Sequence, residues 1–391
     1  MKITGKKLIG LLFCMLMIVS TIVPVSGTIL TEKTSHPLTK GNILYVGGSG
    51  PNNYTKIQDA INDSNNGDTI YVFDDSSPYY ENIVVNKSIY LIGEDMNTTI
   101  LQNHTGEKAV VTLVADGITF TGFFIQQYSS NYVNGMDVYS NNNTIQGNTI
   151  YSSTNKGISI NSLYTTVVYN RVIHAWDGIY VSGLYNNISY NHVTNTSNGL
   201  YLSAAYYNMI LGNNCTDNFA NGIWMGGAYN NTIMYNILSE STLYAGLTAW
   251  LSYHNLIMWN TFSDNNKGLQ ILNGGDNTIV QNNFMNNSIN ADFQRSPRTE
   301  MISLFLLKLL QVPSHNKTFS YKMLSNNTWD ENYWDDLTSL PYIINGRINI
   351  LPRLASHLER LLRNWDVIIA LASKNYDVHP AQEPYDIPGM R

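Results

Sequence analysis

The stretch Gly178-Ile-Tyr-Val-Ser-Gly-Leu-Tyr-Asn-Asn-Ile-Ser-Tyr-Asn-His-Val-Thr-Asn-Thr-Ser-Asn198 is one unit of a repeat that occupies the middle of this chain. Each unit opens with a glycine and a short alternating run. The opening glycines are Gly135, Gly157, Gly178, Gly199, Gly222, Gly246 and Gly268. Successive glycines are 22, 21, 21, 23, 24 and 22 residues apart. A repeat of about this length indicates a solenoid.

Two polar positions and one apolar position recur at nearly constant distances from the opening glycine of each unit. Eight or nine residues after the glycines come Asn143, Thr165, Asn186, Asn208, Asn231, Asn255 and Asn277. Five residues later come Asn148, Asn170, Asn191, Asn213, Asn236, Asn260 and Asn282. Two residues further come Ile150, Val172, Val193, Cys215, Leu238, Phe262 and Phe284. We predict that this last, apolar set forms one inward column.

The length of the unit selects the type of solenoid. Repeats built from two helices need more than thirty residues, so about 22 is too short. Each unit instead holds three short alternating runs, which predict strands, and its Asn and Gly residues suit tight corners. The chain is therefore predicted to be all-β, a parallel β-helix with three strands per coil and coils about 4.8 Å apart. Asparagines recurring at one corner are expected to form hydrogen-bonded ladders.

Strand phase also predicts which side chains face solvent. The middle residue of the glycine-led strand faces outward, because its two neighbours are apolar. This column, which we call the aromatic column, contains Asp137, Ser159, Tyr180, Tyr201, Trp224, Thr248 and Gln270. A second column, seven residues after each glycine, contains Asn142, Tyr164, Tyr185, Tyr206, Tyr229, Tyr253 and Gly275. A third column lies one residue before the second recurring asparagine of each unit. It contains Gly147, Tyr169, Tyr190, Gly212, Tyr235, Trp259 and Gln281.

Rows of aromatic residues allow two interpretations. Flat exposed rings suit sugar units, whose C–H faces stack on aromatic faces. On this interpretation Tyr180, Tyr201 and Trp224 are the candidate ligand-binding residues, and a polysaccharide or other glycan is the partner. Alternatively, stacking of ring on ring only stiffens the rod, an interpretation that we favour for the second column.

Composition and cysteine content exclude some functions. The chain has 391 residues, of which 13% are charged, and its formal net charge is −6. No basic stripe is present to displace counterions, so nucleic-acid binding is not expected. Cys14 lies in an apolar N-terminal run, and Cys215 occupies an inward position. No disulfide framework is therefore expected.

The N-terminus predicts export. Basic residues precede the apolar run Leu8–Val23, and Val25-Ser-Gly27 offers small residues for cleavage, as in a signal peptide. The alternative is an uncleaved anchor, which would be the only contact of the chain with a membrane. We expect an extracellular or cell-surface location.

The segment after the leader carries a family resemblance. A short amphipathic helix is expected from Thr55 to Asn65, with Thr55 as its N-cap. The strand Gly67-Asp-Thr-Ile-Tyr-Val-Phe73 and the motif Glu81-Asn-Ile83 follow. In this order of motifs the chain resembles the NosD-like right-handed parallel β-helix repeat proteins. The resemblance implies a right-handed coil and a helix that covers the hydrophobic end of the rod.

The repeat is no longer recognisable after Ala291, where we expect an irregular C-terminal cap. Met301–Val312 is an apolar patch without the repeat. Asn327–Asp336 and Tyr376–Ile387 are similar to the closing region of many archaeal cell-surface members of the same family. Leu354–Leu362 departs from that pattern and has a helical periodicity.

Several β-helix proteins are polysaccharide lyases or hydrolases, so catalysis is a second interpretation. Glycoside hydrolysis needs two carboxylates about 5 to 9.5 Å apart in one cleft, and a lyase needs a base with acids that bind calcium. Outward acids in the repeats are few and lie in different columns. The best local group of candidate catalytic residues is Arg171, His174 and Asp177, for which we favour a structural role.

The resemblance implies a third interpretation, because the NosD-like family includes a periplasmic protein tied to copper delivery. Copper sites need clustered Met, Cys or His ligands. Four methionines take places where other coils carry Ile, Leu or Val, which favours packing: Met209, Met225, Met234 and Met258. Three histidines lie at different corner phases: His174, His192 and His254. No metal or other cofactor is expected.

The sequence therefore predicts an exported, noncatalytic β-helix protein. It binds carbohydrate through an aromatic face or forms part of an envelope layer. The predicted parts are a signal peptide at 1–27, a linker at 28–41, an N-terminal cap with the first coils at 42–110, the repeats at 111–290, and a C-terminal cap and tail at 291–391. The sequence does not indicate an oligomeric state.

Overall fold

A computed structural model describes residues 41–103, 106–128, 131–152, 155–295, 327–337, 342–348, 371–377 and 379–387. The predicted signal peptide lies outside these residues, as do the apolar patch Met301–Val312 and the segment Leu354–Leu362. Within the described ranges, no helix is long and apolar enough to cross a membrane.

Three sheets run along the rod, with 12, 12 and 11 strands. Sheet 1 contains Ile83–Val85, Val111–Leu113, Met136–Val138, Ile158–Ile160, Asp177–Val181, Asn198–Ser203, Asn221–Gly226, Ala245–Trp250, Lys267–Leu272, Ile289–Arg295, Tyr342–Ile348 and Leu371–Asp377. Sheet 2 contains Ile43–Val46, Thr69–Val72, Tyr90–Gly93, Thr119–Thr121, Thr144–Gln146, Thr166–Val168, Asn187–Ser189, Met209–Leu211, Thr232–Met234, Leu256–Met258, Thr278–Val280 and Thr328–Asp330. Sheet 3 contains Tyr79–Tyr80, Ile100–Gln102, Phe124–Gln127, Thr149–Ser152, Arg171–Ile173, His192–Thr194, Asn214–Thr216, Ile237–Ser239, Thr261–Ser263, Asn283–Met285 and Tyr333–Trp334.

The coils stack in the register that the repeat predicts. Parallel pairing joins equivalent residues of successive coils, as in Val172 to Val193 and Val193 to Cys215. Every member of the predicted inward column is 0% exposed: Ile150, Val172, Val193, Cys215, Leu238, Phe262 and Phe284. The column continues into Trp334, whose ring stacks on Phe284 with centroids 4.4 Å apart. The chain is thus a right-handed parallel β-helix with one continuous core, as predicted.

Buried asparagines hold the corners, which confirms the predicted ladders. Between sheets 2 and 3, each Nδ2 donates to the Oδ1 of the next coil at 2.9–3.0 Å along Asn148, Asn170, Asn191, Asn213, Asn236, Asn260, Asn282 and Asn332. The same Oδ1 atoms accept backbone N–H groups, as in Asn191 N–H to Asn213 Oδ1 at 3.0 Å. Between sheets 1 and 2, a second ladder joins Asn208, Asn231, Asn255, Asn277 and Asn327.

The repeat resumes near the C-terminus, which the sequence analysis missed. Asn327 and Asn332 take their places in the two ladders, five residues apart like every earlier pair. Sheet 1 then ends with an antiparallel pair, Tyr342–Ile348 against Leu371–Asp377. The buried carboxylate of Asp377 accepts hydrogen bonds from Asn332 Nδ2 at 3.1 Å and Trp334 Nε1 at 3.0 Å. A carboxylate therefore replaces the amide at the last position of the ladder.

The N-terminal helix is Ile57–Asp63, shorter than predicted. Thr55 is not its N-cap: that position belongs to Lys56, whose side chain forms no capping hydrogen bond. The cap comes instead from Glu81, whose two carboxylate oxygens accept the N–H groups of Ile57 and Gln58 at 2.8 and 3.0 Å. A carboxylate at a helix N-terminus also complements the helix dipole. Glu81 thereby joins the helix to the first coil.

The inward column makes a prediction for Val193. Replacing Val193 by Asp would bury an unpaired carboxylate between Val172 and Cys215, at a cost of roughly 3 kcal/mol or more. We expect the variant to unfold or to melt far below the parent in a thermal scan. Thr194→Asp, on the outward side of the same strand, is the matched control and should melt close to the parent. Equal melting of the two variants would show that the register is wrong.

Cys215 makes a second prediction. Burial raises the pKa of its thiol well above the ordinary value, and only the thiolate reacts with alkylating agents. Native protein should resist iodoacetamide at mildly alkaline pH, and unfolding in guanidinium should give rapid labelling. Reductant should leave the melting temperature unchanged. Rapid labelling of Cys215 in the native protein would contradict its placement in the core.

Candidate functional site

Four aromatic rings lie in line on the outer face of sheet 1, and we call them the aromatic stack. Tyr180 pairs with Tyr201, and Tyr201 with Trp224, in successive coils. Their ring centroids are 5.4 and 4.3 Å apart with interplanar angles of 21° and 20°. Trp250 follows, 6.1 Å from Trp224 and tilted by 33°. The predicted neighbours Tyr180, Tyr201 and Trp224 are therefore brought together.

The orientation of the rings differs from the expected flat strip. Nearly parallel rings whose centroids are 4.3 to 5.4 Å apart cover one another's faces. Tyr180, Tyr201 and Trp224 are accordingly only partly exposed, and they turn their edges rather than their faces to solvent. Neither the Tyr180 hydroxyl nor the Tyr201 hydroxyl forms a hydrogen bond with another residue of the described part of the chain, and both side chains are partly exposed.

The two ends of the aromatic stack differ. At one end Lys156 Nζ lies 3.4 Å from the centroid of Tyr180, in a cation–π contact that covers the outer face of that ring. At the other end Trp250 is 43% exposed. The repeat does not single out Trp250, because Thr248 occupies the aromatic column in that coil. The ring of Trp224 leans over Gly226, where a Cβ atom would lie 2.2 Å from it.

A line of buried polar side chains, which we call the polar row, runs beside the aromatic stack. Thr248 Oγ1 donates to Asn221 Oδ1 at 2.7 Å, Asn221 Nδ2 donates to Asn198 Oδ1 at 2.8 Å, and Asn198 Nδ2 donates to Asp177 Oδ1 at 2.8 Å. All three donors point toward Asp177. Burial nevertheless raises the pKa of the Asp177 carboxyl, and the bond from Asn198 and the charge of Lys156 offset only part of that rise.

The three candidate catalytic residues are not assembled into one site. Asp177 is buried on sheet 1 and is bonded to Asn198. His174 is exposed at the corner before that strand, with its ring nitrogens 3.0 and 3.2 Å from Asn195 Nδ2. Arg171 is exposed on sheet 3, where its charge adds to the lowering of the His192 pKa that burial causes. Within the described ranges, no hydrogen bond or ion pair joins Asp177 to His174 or Arg171.

A second acid lies on the same face. Asp137 is half-buried and accepts a hydrogen bond from Asn134 Nδ2 at 2.7 Å. Burial raises the pKa of its carboxyl, against the opposing effects of Asn134 and Lys156. The charge of Lys156 thus opposes the rise in pKa at both Asp137 and Asp177. The spacing of the repeat gave no reason to single out Lys156.

The corner tyrosines also stack, but with one correction to the second column. Tyr207, not Tyr206, continues the line of Tyr164 and Tyr185, with centroids 5.2 and 5.3 Å apart. The longer interval after Gly199 shifts the register by one residue. Tyr206 begins a separate stack with Tyr229 and Tyr253, at 5.5 Å in both steps.

The third column holds two stacked pairs. Tyr169 lies over Tyr190 at 5.4 Å, and Tyr235 lies over Trp259 at 5.0 Å. The second pair borders a shallow cleft of about 240 Å³ whose other wall is Tyr385, Asp386 and Ile387. All of these stacks lie outside sheet 1.

The methionines occupy two different environments. Met225 is buried in the core as predicted. Met209, Met234 and Met258 instead lie on the outer face of sheet 2, because the middle residue of each of these strands points inward. Met234 is nonetheless buried, with 5% exposure, and Met209 and Met258 are half-buried, so packing on this outer face remains the prediction for these three. Met234 and Met258 are adjacent in register and continue into Leu211 on one side and Val280 on the other.

This arrangement does not suit a soft metal ion. Copper favours several thiolate, thioether or imidazole ligands, and the neighbours of Met234 and Met258 along sheet 2 provide none. Among the described residues, no group of three or more His, Cys, Asp or Glu side chains is placed to hold a metal ion. The buried Cys215 favours its protonated form.

The raised pKa of Asp177 predicts a dependence of stability on pH. The folded state holds this proton longer than the unfolded chain, so stability falls as the pH rises from about 3.9, the usual unfolded value, through the raised folded pKa. Asp177→Asn keeps the acceptor for Asn198 without the buried charge. It should therefore melt higher than the parent at pH 7, and the difference should vanish below about pH 4.

The matched control for this measurement is Asp276→Asn, at an exposed corner position. Thermal melts across the pH range compare the two variants. An Asp177→Asn protein less stable than the parent at pH 7 would contradict the unfavourable burial of that charge.

Comparison with solved structures shows the same fold in proteins of very different sequence. The Dettilon tailspike protein is 13% identical with a TM-score of 0.54, over 65% of this chain and 58% of the tailspike chain. The A-module of the mannuronan C-5 epimerase AlgE6 of Azotobacter vinelandii is 14% identical with a TM-score of 0.51, over 61% of this chain and 74% of the module. This chain thus spans under two thirds of the tailspike chain that it matches. No curated protein matches it in sequence.

A family model gives a more specific result. Residues 61–245 and 239–339 match the model described as periplasmic copper-binding protein (NosD). These segments begin inside the helix Ile57–Asp63 and contain the glycine-led repeats and the resumed coil at Asn327–Asn332. The resemblance found in the sequence is therefore confirmed. Because the matched residues cover well over half of its length, the chain belongs to the NosD family.

Proposed function

We propose that this protein is a noncatalytic β-helix protein of the periplasm or cell surface that binds a polysaccharide along the outer face of sheet 1. One observation carries the proposal: the partly exposed aromatic stack of Tyr180, Tyr201, Trp224 and Trp250. Aromatic rings in line along a flat sheet offer a glycan chain a contact at each coil, about every 4.8 Å. Export agrees with the description of the NosD family as periplasmic.

The orientation of the rings determines how a sugar would bind. The edges of Tyr180 and Tyr201 offer phenol hydroxyls, which donate to and accept from sugar hydroxyls. Burial, and next the charge of Asp177, raise the pKa of Tyr201, so its hydroxyl remains protonated. Trp250, the most open ring of the aromatic stack, offers an indole face for the C–H groups of one sugar unit. Donors at the edges and one aromatic platform thus supply both kinds of contact.

A catalytic function receives less support from the same face. Asp177 is buried and its carboxylate is bonded within the polar row, while His174 and Arg171 lie elsewhere on the coil. Burial raises the carboxyl pKa of both Asp137 and Asp177. Acids with a shifted pKa are candidates for proton transfer, which favours a lyase or hydrolase as the second candidate. Release of reducing or unsaturated ends from a bound polysaccharide would support that candidate over simple binding.

Copper binding, the function in the family description, is the third candidate. The described methionines, histidines and Cys215 do not form a set of soft ligands, so this chain is better suited to a glycan. A role in an envelope layer is compatible with the same surface, and it would appear as lattice formation in the absence of glycan.

Trp224→Ala tests the proposal. A glycan array with the purified protein identifies a ligand, and titration calorimetry compares the variant with the parent. Truncation of a stacked aromatic ring costs roughly 1–3 kcal/mol in single-strand nucleic-acid complexes, and on that scale affinity should fall by about tenfold or more. The variant should also melt slightly lower, because the stacking on Tyr201 is lost.

The matched control is Trp259→Ala, which removes a tryptophan stacked on a tyrosine at a corner outside sheet 1. It should lose similar stability and retain glycan affinity. Equal affinities for Trp224→Ala and the parent would place the binding site elsewhere. Absence of binding to every glycan on the array would refute the proposed function itself.

A further inference from the structure

Sheet 1 continues beyond the aromatic stack into a charged patch that the proposed function does not use. The next strand after Trp250 is Lys267–Leu272, and the strand after that is Ile289–Arg295. Thr248, Gln270 and Asp292 occupy the aromatic column in these successive coils. The aromatic rings are thus replaced by an amide and a carboxylate along the same line.

Three side chains of this patch are joined by polar contacts. Lys267 Nζ lies 2.7 Å from Asp292 Oδ2, and the two side chains are 21% and 27% exposed. Gln270 Nε2 donates to the same oxygen at 3.4 Å, the long limit for such a bond. An acceptor and two donors therefore lie together at the surface. This combination recognises neighbouring hydroxyl groups, because each hydroxyl both donates and accepts.

The other oxygen of Asp292 has an unusual environment. Oδ1 is buried and accepts no hydrogen bond from the described residues. Buried acceptors without a donor are costly. A rotation about χ2, a broad torsion in Asp, would present Oδ1 at the exposed edge of the patch, since 27% of the Asp292 side chain is exposed. A hydroxyl donor arriving at that edge would satisfy the unpaired oxygen.

Trp250 supplies the apolar wall. It pairs with Leu272 in the coil that carries Gln270, which makes Trp250 and Gln270 diagonal neighbours roughly 7–8 Å apart. Asp292 is one coil further, so the distance from Trp250 to Asp292 along the axis is about 9.6 Å. That span accommodates about two sugar units, one on the indole and one at the carboxylate.

We propose that Trp250, Gln270, Lys267 and Asp292 form a subsite that binds the hydroxyl groups of a neutral sugar at the end of the aromatic stack. This inference rests on the proposed glycan function and deepens it by naming the class of sugar. A uronic acid would bring its carboxylate against that of Asp292, and the nearby Lys267 is already engaged in the ion pair with Asp292. Like charges at close range disfavour that ligand. This subsite therefore selects neutral over acidic sugars.

Matched hexasaccharides test the selection. β-1,4-linked glucose and mannose hexamers are compared by calorimetry with the glucuronate and mannuronate hexamers, which differ from them by oxidation at C6. The parent should bind at least one neutral hexamer about tenfold tighter than its acidic counterpart, which corresponds to about 1.4 kcal/mol. Higher salt should narrow the difference, because screening weakens the repulsion.

Two variants test whether the discrimination between neutral and acidic hexamers arises at this subsite. Asp292→Asn keeps the shape and removes the charge, and it should lower affinity for the neutral hexamer several-fold and reduce the discrimination against uronate. Trp250→Ala should weaken both ligands alike. Asp217→Asn makes the same change of charge at an exposed corner outside the patch, and it should behave like the parent. Melting curves establish that each variant is folded.

The outcomes separate the two proposals. Tighter binding of a uronate hexamer by the parent, or unchanged affinity and discrimination in Asp292→Asn, would overturn the subsite and leave binding at the aromatic stack intact. Absence of binding to all four hexamers and to the wider array would overturn both.

Discussion

The structure depends on a requirement imposed at every corner: backbone groups that turn out of a strand must still find hydrogen-bond partners. The asparagine ladders meet this requirement. Each amide accepts a backbone N–H and donates to the amide of the next coil, as Asn191 and Asn213 show. The bond to the next coil also fixes the stacking distance and the register. Because the ladders hold the coils in register, the apolar residues of the inward column also stack on one another, and each is 0% exposed.

The same register organises the surface. Side chains that share a place in the repeat come together in successive coils, so a binding surface can be formed by repetition of one residue type. The stacking of Tyr180, Tyr201 and Trp224 arises in this way, with the buried polar row beside it. Asp177 lies at the end of that row, where burial raises the pKa of its carboxyl.

Much of this could be predicted from sequence, because spacing alone determines which residues share a column. The inward column, the ladders and the pairing of Tyr180, Tyr201 and Trp224 all follow from it. The predictions that were wrong or missing depended on local geometry. The extra residue after Gly199 places Tyr207 in line with Tyr185, and the rings turn on their χ angles until their faces cover one another. Lys156 and Trp250 lie outside the selected column, and only the folded chain shows them at the ends of the aromatic stack.

The resumed coil at Asn327 has a consequence for how such a protein can diversify. The two ladder positions of a coil flank its sheet 2 strand and are five residues apart in every coil from Asn143 to the pair Asn327 and Asn332, so this short segment keeps one length. By contrast, residues 296–326 separate Arg295 on sheet 1 from Asn327 in the ladder, and the register is kept. Because the entropy of closing a loop grows only slowly with its length, that corner can accept new segments of almost any size. Evolution can therefore graft modules there while the rod beneath stays unchanged.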